Sequence, residues 1–164
     1  MTALQQGPSA RARSILRLIY PSEAIYLREI TSYFSEEKTV TGQFHVPKTN
    51  SYTNPPVPYV TAEQYVRCLS QLSYVVVGFL IQDKVVDFDF ADFETFKQLM
   101  IEYKMWFRRS DLRYLKNIPK GTNFELTLTL KEVRTVRVFS VCVLEIRGII
   151  RGELEFVAPL NNKG

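Results

Sequence analysis

The residue types that most often carry out catalysis are scarce in this chain. Its 164 residues include one histidine, His45, and two cysteines, Cys68 and Cys142. A structural zinc site normally has four Cys or His ligands and a catalytic one about three, so a zinc site is not expected. A Ser-His-Asp triad would depend on His45 alone. Because His45 alternates with Thr41 and Gln43 on the polar face of its strand, the sequence favours a solvated histidine over a catalytic base.

The distribution of positive charge is the second feature of the sequence that could indicate a binding partner. The chain has 21 Lys and Arg against 17 Asp and Glu, a net charge of +4. One small basic group comprises Arg11, Arg13 and Arg17, and another comprises Arg108, Arg109, Arg113, Lys116 and Lys120. Nucleic-acid binders usually concentrate such residues in one stripe or arm, so no nucleic-acid partner is expected. An acidic protein or a phosphate-bearing cofactor tail fits this modest excess.

Composition places these residues in one folded domain. Hydrophobic residues make up 46% and charged residues 23% of the chain, close to the averages of soluble globular proteins. Residues 1–13 lack the apolar core of a secretory signal, and the longest apolar run, 74–81, is far shorter than the ~20 residues that span a bilayer. Two cysteines in apolar surroundings indicate buried free thiols. We therefore expect a cytoplasmic location and no membrane partner.

Hydrophobic periodicity predicts the elements that position the candidate residues. Residues 1–8 are predicted to be a flexible N-terminus and residues 9–164 a single domain. The predicted elements are a helix over 9–18, a hairpin of strands 24–34 and 39–46, a proline-rich loop over 47–60, helices over 62–81 and 93–101, and strands over 105–115, 124–130, 136–147 and 150–157. A connector with several acidic residues, 83–92, separates the two later helices. A loop as long as 47–60 inside a small domain is uncommon unless it is functional.

The helix over 62–81 dominates this arrangement. Thr61 and Gln64 form a capping-box pattern at its start, and its apolar residues occupy nearly every face, which is typical of a buried helix. A single helix can be buried on all sides only if a curved sheet wraps it and other elements cover the rest. The sequence therefore predicts an α+β hot-dog domain, with a long central helix, a curved antiparallel sheet and a short N-terminal helix.

Several segments carry a resemblance to a known family. The stretch 113–124 (RYLKNIPKGTNF) resembles the strand-turn-strand that follows the central helix in hot-dog thioesterases and dehydratases. The stretches 42–44 (GQF), 50–52 (NSY), 59–61 (YVT) and 68–74 (CLSQLSY) are similar to the FcoT-like acyl thioesterase family, as is the closing run 151–160 (RGELEFVAPL). The matched pieces extend from about residue 20 to residue 160.

The resemblance implies a homodimer or higher hot-dog assembly that needs no cofactor. Its substrate would be a fatty acyl group carried as a thioester on coenzyme A or an acyl carrier protein. Some family members are thioesterases, and others act in isonitrile lipopeptide pathways, where the same fold promotes addition of glycine to an α,β-unsaturated acyl thioester. Family site residues carry over to Tyr20, Tyr52 and Thr61, where the family has asparagine at the last position. Ser70 stands at a second asparagine position, and Asn54 is a further candidate substrate contact.

In a hot-dog site the thioester carbonyl can be received at the N-terminus of the central helix. The free N–H groups of Ala62, Glu63 and Gln64 are therefore candidates for stabilising an oxyanion. The sequence favours the interpretation of Glu63 as a simple complement to the helix dipole. It also favours Thr61 as a plain N-cap over a catalytic hydroxyl, although both roles can coexist. The basic residues Arg108, Arg109, Arg113 and Lys116 are candidates for the phosphates of the carrier.

A general base is harder to find in the sequence. Hot-dog dehydratases have an acid four residues before a helical glutamine, and here Arg67 precedes Gln71 at that spacing, which disfavours a dehydratase of that kind. A site of tyrosines and hydroxyls fits slow hydrolysis of an acyl thioester. It fits equally a lyase-type addition of an amine to an enoyl thioester, in which the enzyme mainly polarises the carbonyl and brings the reactants together. A non-catalytic acyl-thioester binding module is the third hypothesis.

Overall fold

A six-stranded antiparallel sheet and three α-helices form the part of the chain that the computed structural model describes, residues 7–88 and 92–160. The helices are α1 (Pro8–Leu16), α2 (Ala62–Gln82) and α3 (Phe93–Ile101). The strands are β1 (Leu27–Phe34), β2 (Thr39–His45), β3 (Trp106–Tyr114), β4 (Asn123–Val136), β5 (Phe139–Gly148) and β6 (Ile150–Pro159). A short 3-10 helix, Ser22–Ala24, leads into β1.

The sheet has the strand order β1-β2-β4-β5-β6-β3, so β1 and β3 are its edges. Alternation determines which face of each strand meets the core, as the sequence predicts: Val40, Gly42 and Phe44 of β2 point inward. On the opposite face, Thr39 and Thr41 pair with threonines of β4. One face of the sheet is therefore apolar and packs against a helix.

That helix is α2, and the prediction of a buried central helix is confirmed. Most of its side chains are buried between the sheet and the other helices, among them Leu69, Leu72, Val76 and Phe79, which are fully buried. Its length and mean hydropathy of 1.2 would suit a membrane span, but 83% of the apolar window is buried inside the protein. This is the burial expected of a core helix.

The N-terminal helix α1 and the helix α3 cover the side of α2 that the sheet leaves open. Gly78 allows the close approach, because a Cβ atom there would lie 2.7 Å from Ile15 Cδ1 of α1 and 3.1 Å from Phe96 Cε1 of α3. Arg11 of α1 stacks on the Phe79 ring at 4.4 Å and forms an ion pair with Asp83 at 2.9 Å. The C-terminal end of α2 is thus closed by two helices and an ion pair.

Several boundaries differ from the sequence prediction. Strand β1 begins at Leu27 instead of the predicted residue 24, because Ser22–Ala24 forms a short 3-10 helix. Helix α1 begins at Pro8 and ends at Leu16, earlier than the predicted Leu18. Strand β4 continues to Val136, beyond the predicted end at Leu130, and the next strand begins at Phe139 instead of Val136. A register shift after Leu130 breaks the alternation on which the prediction relied, while pairing with β5 continues. Residues 1–6, 89–91 and 161–164, which the predictions for the N-terminus, the connector and the domain include, lie outside the described residues.

The edge strand β3 is attached to β6 through a close backbone approach at Gly152. This glycine has a φ of +146°, and a Cβ atom there would lie only 1.9 Å from the carbonyl oxygen of Asp111. Only glycine fits such a position. The outer edge of β3 has no neighbouring strand in the described chain. The half-exposed rings of Trp106 and Tyr114, both in β3, contact Phe139 and Tyr65, respectively.

Candidate functional site

The first turn of α2 is organised by the predicted capping box. The Thr61 hydroxyl accepts from the Gln64 N–H at 3.4 Å, and the Gln64 side-chain oxygen accepts from the Thr61 N–H at 2.9 Å. The Gln64 N–H is therefore occupied, so the prediction that it is free for an oxyanion is wrong. The N–H groups of Ala62 and Glu63 have no acceptor among the described residues, and both residues are exposed. Two of the three predicted oxyanion donors remain.

The proline-rich loop is tied to this helix start through Asn50. The Gln64 side-chain amide, which is almost fully buried, donates to the Asn50 carbonyl at 3.0 Å and to its side-chain oxygen at 3.3 Å. The Asn50 amide in turn donates to the Tyr26 hydroxyl. The loop therefore lies over the helix N-terminus in one defined position.

Arg67 extends this polar network to the predicted site residue Tyr52. Its Nη1 donates to the Tyr26 hydroxyl and its Nη2 to the Tyr52 hydroxyl, both at 3.1 Å. Burial opposes the charge of Arg67, but the two phenols and Glu63 favour it, so the pKa of the guanidinium lies above its ordinary value. Tyr26 is fully buried, whereas Tyr52 is 63% exposed. The network thus runs from the protein interior to the surface.

Two other predicted residues, Tyr20 and Ser70, meet farther along α2. Their hydroxyl oxygens are 3.2 Å apart. Burial raises the pKa of the Tyr20 phenol, although the Ser70 hydrogen bond and the charge of Arg67 oppose the shift. Ser70 lies nine residues after Thr61, about 13 Å along the helix axis. The structure therefore divides the predicted residues into two groups with Arg67 between them.

The remaining predicted contacts are not brought to this network. Asn54 is exposed in the loop and forms no hydrogen bond with another predicted site residue. The basic residues of the second group are spread along β3 and its continuation, where Arg108 and Lys116 are eight residues, about 26 Å of extended strand, apart. Arg108 lies 3.6 Å from the buried Glu155. Arg109 and Arg113 line a 540 Å³ depression together with Asp111, Glu145 and Glu153, so its charge is mixed.

Gln71 has a structural role in this chain. Its side-chain oxygen accepts from the N–H groups of Tyr26 and Leu27 at 3.0 and 3.2 Å, and its amide donates to the Ala24 carbonyl at 2.8 Å. These bonds fix the entry into β1 and hence the position of the Tyr26 ring. Gln71 is fully buried, so it does not reach a substrate directly.

The side chains of the histidine and the cysteines form no hydrogen bond with the side chains of this network among the described residues. His45 bonds through Nδ1 to the Asn123 side chain at 2.8 Å. Both cysteines are free and buried, as the sequence predicts. Burial raises the pKa of the Cys68 thiol, and raises that of Cys142 to about 12, so neither is a thiolate nucleophile at neutral pH. Among residues 7–88 and 92–160, no three His, Cys, Asp or Glu side chains are grouped as metal ligands.

Sequence reasoning missed Tyr26 and Asn50 and used Arg67 only as an argument against a dehydratase. A charged residue one turn before a glutamine in an otherwise apolar helix was the available signal for Arg67. Tyr26 and Asn50 gave no such signal, because one belongs to the approach to a strand and the other to an irregular loop.

Together these groups can bind and polarise an acyl thioester. The N–H groups of Ala62 and Glu63, at the positive end of the α2 dipole, can accept a carbonyl oxygen. The Tyr52 and Thr61 hydroxyls each accept a hydrogen bond and retain a proton to donate. The arrangement favours positioning of reactants over proton abstraction.

No protein-family model and no curated protein matches the chain. Solved structures do match it. A dehydratase heterocomplex from Xenorhabdus doucetiae has a TM-score of 0.57 at 10% identity over 91% of this chain and 93% of the other. A mutant thioesterase from Pseudomonas aeruginosa has a TM-score of 0.56 at 10% identity over 96% and 98%, and the E. coli PaaI protein from the phenylacetic acid degradation operon has 0.51 at 10% over 94% and 97%. These likenesses establish the architecture.

Proposed function

Since the chain has the hot-dog fold, we propose that it is an acyl-thioester hydrolase of the FcoT-like type, acting in the cytoplasm on a fatty acyl group carried by coenzyme A or an acyl carrier protein. The observation that carries the proposal is the exposed N-terminus of α2. Two free N–H groups lie there beside the Thr61 hydroxyl, and the loop above it supplies Tyr52. The likeness to thioesterases supports the proposal at the level of fold.

The proposed reaction uses these groups in order. The thioester carbonyl oxygen accepts from the N–H groups of Ala62 and Glu63, and water attacks the carbonyl carbon. Negative charge then develops on the oxygen at the positive end of the helix dipole. The carbon–sulfur bond breaks, the thiolate takes up a proton, and the free acid and the carrier thiol leave. Since the site has tyrosines and hydroxyls where a strong base would stand, we expect slow turnover.

The test is release of free thiol from acyl-CoA and acyl carrier protein thioesters of graded chain length. Tyr52→Phe should lower kcat/KM about tenfold, because it removes the hydroxyl that would orient the thioester or the water and leaves the ring in place. Tyr33→Phe is the matched control, since the Tyr33 hydroxyl bonds to Asp83 at the far end of α2. Turnover no faster than buffer with every chain length and both carriers would overturn the proposal.

A second candidate function is the addition of an amine to an enoyl thioester. The observation that favours it is that the site has tyrosines and hydroxyls where a strong base would stand, because addition needs the enzyme mainly to polarise the carbonyl and to bring the reactants together. In the addition, the amine nitrogen bonds to the β-carbon and a proton is delivered to the α-carbon. Incubation of crotonyl thioester with glycine, followed by mass spectrometry, separates the two functions: a glycine adduct supports addition and a free acid supports hydrolysis. A pure binding module would bind the thioester but show no activity for Tyr52→Phe or Thr61→Val to remove.

The assembly belongs to the same proposal. We expect a homodimer that pairs through β3, because this edge strand has unpaired backbone groups and half-exposed aromatic rings. Light scattering coupled to size-exclusion chromatography measures the mass of the particle. A monomer at micromolar concentration would contradict this part of the proposal.

A further inference from the structure

Arg67 is bonded differently from Arg11 and Arg134. Arg11 forms an ion pair with Asp83 at 2.9 Å, and Arg134 with Glu155 at 2.6 Å. Arg67 instead donates to the two phenol oxygens of Tyr26 and Tyr52. Among the described residues no carboxylate oxygen lies within 4 Å of its guanidinium. Its guanidinium therefore has no ion-pair partner among the described residues, although the charge of Glu63 acts on it from one turn away.

The guanidinium is fixed on one side and accessible on the other. Its carbon lies 5.3 Å from the centre of the buried Tyr26 ring, and the Tyr26 hydroxyl is itself fixed by Asn50. The other side ends at the exposed Tyr52 hydroxyl. A guanidinium has five N–H donors in a planar fork, and the two phenols use two of them. The remaining donors have the geometry that binds a carboxylate in a bidentate pair.

We propose that Arg67, together with the Tyr52 hydroxyl, binds a carboxylate of the reacting substrate. The inference rests on the proposed function, since it takes the thioester carbonyl to lie at the N-terminus of α2. The carboxylate belongs either to the acyl chain or to an amino-acid nucleophile. Both sources would present a carboxylate to the same guanidinium of Arg67.

The helix geometry limits how far this carboxylate stands from the thioester. Arg67 follows Ala62 by five residues, about 7.5 Å along the axis, and helical side chains lean toward the N-terminus, which shortens the separation. An extended chain advances about 1.2 Å per bond. The axial part of this separation corresponds to about six bonds of extended chain, so we expect the thioester carbonyl and the carboxylate to belong to one short group, such as a succinyl or glutaryl group or a short acyl group that carries an added amino acid.

The position of Glu63 leads to a second prediction about the binding of a carboxylate at Arg67. Glu63 lies one turn before Arg67 and contributes to the electrostatic environment of the guanidinium, without an ion pair within 4 Å. A substrate carboxylate at Arg67 would be repelled by this charge. Glu63→Gln should therefore strengthen carboxylate binding while Arg67→Met abolishes it.

The experiment compares two non-hydrolysable thioethers, S-(3-carboxypropyl)-CoA and S-butyl-CoA, by titration calorimetry. The full-length protein should bind the carboxylated analogue at least about tenfold more tightly. Arg67→Met should remove that difference, so that the two analogues bind with equal affinity, and Arg28→Met, at an exposed arginine of β1, should retain it. Because Arg67→Met also removes contacts to Tyr26, Tyr52→Phe serves as a second variant and should reduce the preference about threefold.

A second arm distinguishes the two sources. Crotonyl-CoA is incubated with glycine or with glycinamide, and the adducts are quantified by mass. An adduct with glycine alone that Arg67→Met abolishes assigns the carboxylate to the nucleophile. A preference only for the carboxylated thioether assigns it to the acyl chain.

The outcomes separate this inference from the proposed function. Hydrolysis without any carboxylate preference in either arm, or a preference that survives in Arg67→Met, overturns the inference alone. Selective binding of the carboxylated analogue without turnover of any thioester overturns the proposed function alone.

Discussion

The two halves of α2 are stabilised by different interactions. From Thr61 to Gln71 the helix buries two glutamines and one arginine contact, and the side chains of Gln64, Arg67 and Gln71 have partners in the loop or in the segment before β1. From Leu72 to Ile81 the buried side chains are almost all apolar and fit against α1, α3 and the sheet. The packing of the first half therefore depends on which residue partners each polar group. The packing of the second half depends on the volume of its apolar side chains.

This difference separates where the protein obtains stability from where it places reactive groups. Apolar packing is non-directional, so the second half contributes free energy without presenting chemistry. Hydrogen-bonded groups are directional and costly when unpaired, so the first half fixes orientations. Four predictions test this contrast, beginning with the largest effect.

Truncation in the apolar half should have the largest effect on folding. Phe79 is fully buried and its ring meets Tyr33 edge-on at 5.0 Å. Phe79→Ala should lower the free energy of unfolding by about 3–5 kcal/mol, because it leaves a cavity between three helices and the sheet. Urea denaturation followed by circular dichroism measures the loss. Phe79→Leu is the control and should cost much less; equal losses would argue against a packed interior there.

Replacement of Gln71 should cost less, although the side chain is equally buried. Gln71→Met keeps the volume but leaves three backbone groups, at Ala24, Tyr26 and Leu27, without their partner. We expect a loss of about 2–4 kcal/mol in the free energy of unfolding. Gln98→Met is the matched control, because Gln98 is exposed and bonds only to the exposed Glu102. A stabilising Gln71→Met would show that the polar half also depends on volume.

Alkaline pH should weaken the apolar core, which packs against the second half of α2, through the thiol of Cys142 in β5. Burial raises the pKa of Cys142 to about 12, whereas an unfolded thiol titrates near pH ~8.5. The stabilisation from this group is complete below that pH and declines as the pH rises toward 12, by about 1.4 kcal/mol per pH unit. Between pH ~8.5 and ~10.5, wild type should lose about 2 kcal/mol more than Cys142→Val. Parallel declines in urea titrations of the two proteins would contradict the prediction.

Removal of the N-cap should have the smallest effect on stability. Thr61→Val deletes the hydroxyl that accepts from Gln64 and should cost about 1 kcal/mol. Thr61→Ser, which keeps the cap, should stay close to wild type. The melting temperature of each variant, compared with its rate of thiol release, shows whether Thr61 acts beyond capping. Equal fractional losses of activity and of folded protein would make it a cap only.

Sequence patterns predicted the apolar half far better than the polar half. The burial of α2, the alternation in β2 and the capping box follow from periodicities of 3.6 and 2 and from residue types within four positions of each other. The network does not, because it joins Tyr26, Asn50 and Arg67 across as many as 41 residues. Such contacts depend on how the chain folds back, and the polar residues that make them have no periodic spacing.

The close contact at Gly152 has a consequence for how this protein can vary. A saturation library should accept almost any residue at the exposed neighbouring Arg151 and reject every non-glycine at 152, because even an alanine methyl would collide with the Asp111 carbonyl. In the rejected variants the hydrophobic core would stay folded, but strand β3 would lose its pairing with β6. Substitutions of Gly152 should therefore impair assembly through the β3 edge more than they impair substrate binding.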